Sequence, residues 1–149
     1  SNGLVFAVRT ESIWGEDAAG IKLIKEISNY ADKDKNYRSL HYITAICMVF
    51  YIAEAIQMAI EDSNFSGEGI KIAMYKKKNW VPKGLEGICL PSTWTDEDHR
   101  GLMTVPIYKV NVNSSTEKLS VEDLMIKKII QLKKIDSITL PRRMEWRGY

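Results

Sequence analysis

The stretch from His41 to Asp62, HYITAICMVFYIAEAIQMAIED, restricts the fold more than any other part of the chain. Between Tyr42 and Ile56 only Thr44 and Glu54 interrupt the apolar residues, so a helix made from it gains little from water and needs cover on most sides. The run falls short of the roughly 20 apolar residues that cross a bilayer, and Glu61 and Asp62 follow it, so it reads as the central helix of a layered domain. On that reading Ile52 and Ile56 are core positions. Polar Asn36, Arg38 and Ser39 lie upstream, and Asp62-Ser63-Asn64 ends the pattern in turn-forming residues.

The remaining segments read in chain order. LVFAV, residues 4–8, has the pattern of a strand buried on both faces, as in the middle of a parallel sheet. TESIWGED, residues 10–17, is turn-like, and AAGIKLIKEISNYA follows with Ile21, Ile24 and Ile27 on a helical period and lysines on the opposite face. Ser66 caps another helix, entered through Gly67 and Gly69. Pro82, Gly84, Gly87 and Pro91 allow only short extended pieces. TDEDHRG, residues 95–101, reads as a charged turn, MTVPIYKVNV as a strand, residues 121–130 as a helix and SITL as a short strand before the closing PRRMEWRGY.

Composition excludes some classes. The chain of 149 residues carries a net charge of +2, and its basic residues are scattered apart from Lys76-Lys77-Lys78, read as a solvated helix end; nucleic-acid binders show a denser basic face. His99 beside Asp96 and Asp98 has neither a local second histidine nor a nucleophile, so neither a metal site nor catalysis is expected, and no enzyme activity or cofactor. Cys47 and Cys89 both lie in apolar surroundings, which makes two buried free thiols the default; a disulfide requires Cα atoms within about 7 Å, which spacing does not reveal. Residues 1–149 contain no succession of charged, apolar and small residues typical of a secretory signal, so the chain reads as an internal protein or as a mature or truncated piece. Thr10, Ser12 and Trp14 follow the first strand, and open α/β sheets bind ligands beyond the carboxyl ends of their strands. They are candidate ligand-binding residues.

Several motifs in order carry a resemblance: IAEAI at 52–56, Gly67-Glu68-Gly69-Ile70, Gly84-Leu85-Glu86-Gly87, Asp98-His99-Arg100-Gly101-Leu102, the strand VPIYKV and the ending LPRRMEWRGY. Together they resemble the C-terminal part of type I periplasmic solute-binding proteins, most closely the branched-chain amino-acid binding proteins of ABC transporters. The resemblance implies an α/β fold, a partial type I periplasmic-binding-protein (Rossmann-like three-layer) architecture comprising pieces of two lobes. Residues 3–13 and 103–149 would belong to lobe two and residues 14–102 to lobe one. It implies an amino acid or small carboxylate as ligand, a membrane permease as partner and a periplasmic or extracellular location, with a lipid anchor on an N-terminal portion. His41 and Tyr42 match the place where that family puts an aromatic residue facing the cleft; His41 stands where tyrosine is common, and Tyr42 either contacts ligand or packs. A sensor domain with the same lobes is the alternative. Unpaired strand edges at residues 4–8 and 104–110 lead further to the expectation of a homodimer, with strands or half-lobes exchanged.

Overall fold

A computed structural model describes residues 2–113 and 118–140. They form a mixed α/β structure with the order β1 (Val5–Ala7), α1 (Ile21–Ala31), α2 (Leu40–Glu61), α3 (Gly67–Tyr75), β2 (Ser92–Thr95), β3 (Asp98–Leu102), β4 (Thr104–Val112), α4 (Val121–Ile126) and β5 (Ile130–Thr139). The expected closing segment PRRMEWRGY lies outside the described residues.

The central helix forms close to its expected bounds because both ends carry local stop signals. The Ser39 hydroxyl accepts from the Tyr42 N–H at the start. At the end the Asn64 N–H returns to the Ala59 carbonyl, with Ser63 in the left-handed region at φ 57°. Ser66 caps α3 as expected, accepting from the Gly69 N–H. The buried stripe of α2 is Ile43, Cys47, Tyr51, Ala55 and Ala59. The fully buried alanines at 55 and 59 leave room for α3, which packs against this helix. Ile52, expected in the core, is 48% exposed, and Ile56 is half-buried. The apolar run is too uniform to show which side faces in, and the Tyr51 and Cys47 contacts decide it.

The helical core gathers Ile24 of α1, the inner stripe of α2, Trp80, Leu85, Ile88 and Cys89, with Trp14 and Trp94 packed against it. Tyr51 meets Trp80 and Trp94 edge to face at centroid distances of 5.0 and 5.1 Å. Its hydroxyl lies 2.9 Å from the Trp80 carbonyl oxygen and 2.6 Å from that of Leu90, sharing one proton between them. Cys47 and Cys89 are joined in a disulfide with Cα atoms 5.6 Å apart. The expectation of free thiols is corrected: the loop after Trp80 folds back on α2 and brings residues 42 apart in sequence into contact.

Glu54 ties the same loop to α2. Its carboxylate accepts from the Trp80 indole N–H at 2.9 Å and the Lys83 backbone N–H at 2.6 Å, and pairs with Lys77 at 3.4 Å. Lys77 also sits over the Trp80 ring, 4.7 Å from its centroid, and Lys76 pairs with Asp62, so two of the three lysines expected to be merely solvated hold partners. Partial burial favours the neutral Glu54 acid, but the donors outweigh it and hold the carboxyl below its ordinary value. A depressed folded-state pKa stabilises the protein above the unfolded pKa, and that contribution is lost as pH falls through the folded value. Glu54→Gln is therefore expected to cost about 1–2 kcal/mol at neutral pH and progressively less below the ordinary carboxylate range. Urea denaturation across pH 3–7 checks this, and a cost independent of pH would refute the assignment.

The second core is smaller. Val8, Ile13 and Tyr108 are buried together with Phe6, Leu40 and Leu132 against them. It sits on a sheet of order β1-β4-β5, antiparallel throughout. The parallel sheet anticipated for residues 4–8 is thus corrected. β1 pairs with β4 alone, as an edge strand, and Leu4 and Val5 are 53% and 50% exposed; five apolar residues in a row did not mean burial on both faces. The charged turn expected at residues 95–101 is confined to Asp96 and Glu97, which join β2 and β3 in a hairpin; Asp98 is buried and chelated by Arg100 through Nε and Nη2 at 2.9 and 2.6 Å. The helix foreseen at 121–130 stops at Ile126, where Lys128 turns left-handed at φ 55°. Ser137, Ile138 and Thr139 of SITL end a ten-residue strand.

Candidate functional site

Residues 9–20 carry the chain from the sheet to the helices. The Val8 N–H donates to the Pro106 carbonyl, the Glu11 N–H donates to the Ile88 carbonyl at 2.7 Å, and Ile13 fills the sheet-side core. This anchoring fixes the segment in an irregular path and leaves a pocket on each side of Glu11.

The first pocket, about 390 Å³ and open, is lined by Glu11, Ser12, Glu16, Asp17, Tyr108 and Lys134, a volume within the range of small-molecule sites. Glu16 is held by a 2.8 Å bond from the Tyr108 hydroxyl and a 2.9 Å bond from the Ile13 N–H. Burial, then the bond to Glu16, raises the Tyr108 phenol well above its ordinary value, so it acts as a donor. Lys134 reaches from β5 to Glu11 at 2.9 Å, both side chains being 38% exposed. The pocket therefore sets an ammonium beside several carboxylates, with a phenol fixing one of them.

The second, about 220 Å³, lies between the β2–β3 hairpin and the sheet and is lined by residues including Glu11, Asn79, Thr93, Gly101, Met103 and Ser137. Gly101, at φ 74°, lets the Trp94 indole lie against its backbone; a Cβ there would stand 2.5 Å from the ring. Most of this lining is uncharged.

The candidate residues separate. Ser12 lines the first pocket. Thr10 is fully buried, and its hydroxyl oxygen has no hydrogen-bond partner; it lines neither pocket. Trp14 packs on the helical core and donates its indole N–H to the Asn36 carbonyl at 2.9 Å. Tyr42 is half-buried beneath the Arg38 guanidinium, 4.7 Å from its ring centroid, and His41 is exposed. Glu11, Glu16, Asp17, Tyr108 and Lys134 were not candidates. Of these, only the acidic residues flanking Ser12 could have been read as neighbours; Tyr108 and Lys134 arrive through β4–β5 pairing. Among the described residues no group of three or more His, Cys, Asp or Glu side chains could hold a metal ion. His99 lies on β3 with Nε2 2.9 Å from the Tyr75 hydroxyl.

No protein-family model, curated protein sequence or solved structure matches the chain.

Proposed function

We propose that the chain is part of a solute-binding component of an ABC uptake system, recognising an amino acid or a related small carboxylate. The observation that carries this reading is the first pocket. A zwitterion needs a cation for its carboxylate and an anion for its ammonium, and Lys134 paired with Glu11 beside Asp17 and Glu16 offers both. The Lys134–Glu11 pair is half-exposed, so exchanging each partner for a ligand group forfeits little, exposed pairs being worth roughly 0–1 kcal/mol. Ser12 supplies a hydroxyl at the same mouth. The order of motifs from IAEAI to VPIYKV supports the family reading and, with it, the two-lobed type I architecture and a permease partner; the antiparallel sheet gives that architecture no support. A periplasmic or extracellular location has independent support in the Cys47–Cys89 disulfide, since such bonds persist in oxidising compartments.

Because the pocket is open, affinity is expected only in the millimolar range. Titration with leucine, valine and lysine, followed by amide chemical shifts, is expected to move the signals of Ser12, Asp17 and Lys134 together. Lys134→Met should abolish the response. Shifts confined to Tyr42 and His41, or none at tens of millimolar ligand, would refute the pocket as the site.

A further inference from the structure

The two pockets beside Glu11 lie on one face of the sheet. On β4, Pro106 lines the second pocket and Tyr108 the first, and residues two apart on a strand point to the same side, about 7 Å from each other. Their partners on β5 follow suit: Ser137, opposite Pro106, lines the second pocket, and Lys134, opposite Tyr108, lines the first. Uninterrupted pairing from Ser137 would set Ile135 opposite Tyr108, but the register shifts between Ile107 and Tyr108 and brings Lys134 there instead. Bulges re-aim side chains in this way beside functional sites. Here the shift puts an ammonium rather than an isoleucine next to Glu11, the residue common to both linings.

We propose that the two pockets are the ends of one site, whose ligand is an amino acid with an unbranched, uncharged side chain ending in a hydrogen-bonding group, glutamine being the simplest fit. With the α-ammonium and α-carboxylate held in the first pocket, the reading on which this rests, the side chain passes Glu11 into the second. At about 220 Å³ the second pocket is smaller than a complete small-molecule site and suited to part of one. It offers apolar cover from Leu90, Met103 and Pro106 and polar partners in Asn79, Thr93 and Ser137. The Thr93 hydroxyl accepts from the Asn79 N–H at 2.8 Å, which leaves its own proton to donate. Apart from Glu11 none of the residues lining this pocket is charged, and a charge taken out of water without a partner is costly, so the ammonium of lysine or a second carboxylate suits it poorly. Valine branches at its first side-chain carbon and leucine at its second, which keeps both near the head group. An unbranched side chain of glutamine's length extends over most of the roughly 7 Å between the two strand positions.

Amide chemical shifts of the full chain, followed during titration with alanine, leucine and glutamine, test this. Alanine carries the head group with a single methyl and should move the signals of Ser12 and Lys134. Glutamine should move these together with Asn79, Thr93 and Ser137, and bind about tenfold more tightly than alanine or leucine, the worth of one or two net hydrogen bonds. Ser137→Phe, at an exposed strand position, should fill the second pocket and reduce glutamine to the affinity of alanine in the same variant, with an unchanged circular dichroism spectrum. Glutamine shifts confined to Ser12 and Lys134 at an affinity equal to alanine's, or leucine binding as tightly as glutamine, would overturn the proposal and leave the head-group pocket standing. Shifts of Thr93 and Ser137 without Lys134 would overturn the joining of the two pockets. No shift with any of the three ligands would overturn the head-group pocket and the proposal with it.

Discussion

Replacing Cys47 and Cys89 together by alanine is expected to lower the unfolding free energy by about 4 kcal/mol, the chain-entropy value for a bridge between residues 42 apart. The bridge shortens the loop that the unfolded chain must close to bring Trp80 and Leu90 onto Tyr51. In the native state both cysteines are at most 5% exposed, so a thiol reagent reaches them only after the helix and loop separate. Urea titrations should therefore show the midpoint of the wild-type protein falling to that of the double-alanine variant when dithiothreitol is present, with native protein reduced slowly. A variant within about 1 kcal/mol of wild type would mean that the Tyr51 and Glu54 bonds hold the loop without the bridge.

That bond also shows where the sequence was and was not legible. The helices could be read because their signals are local: Ser39 and Ser66 each accept from the N–H three residues on, and the period of Ile21 and Ile24 is visible within one turn. The Cys47–Cys89 contact depends on a loop folding back across the helix, a path set by Glu54 receiving the Lys83 and Trp80 donors. The sheet was misread for a related reason. Apolar residues 4–8 suit a buried parallel strand and an antiparallel edge strand equally, and pairing with β4 is a long-range choice.

The site divides in the same way. Ser12 was a candidate because a segment leaving a strand is a place where ligands bind, and it does line the open pocket beside Glu11. Thr10, two residues earlier, turns into the interior instead, since Val8 and Ile13 on either side anchor the segment in the sheet-side core. Lys134 could not be found from its neighbours in QLKKID, where nothing distinguishes it from Lys133. Only the register of β5 on β4, Lys134 opposite Tyr108 and Lys133 opposite Lys109, decides which of the two belongs to the pocket.

Ile43→Ala is expected to cost about 2–5 kcal/mol, the range for a fully buried large-to-small change, whereas Ile52→Ala should cost less than about 1 kcal/mol. The two residues sit on one helix and lose the same atoms, so helix propensity cancels and the contrast reports which side faces the core. Ile43 is fully enclosed beside Cys47 and Ile24, and its removal leaves a cavity that the bridged helix and loop cannot collapse to fill. Ile52 gives up only the contacts of a half-exposed side chain. Equal costs would place the core on the wrong side of α2.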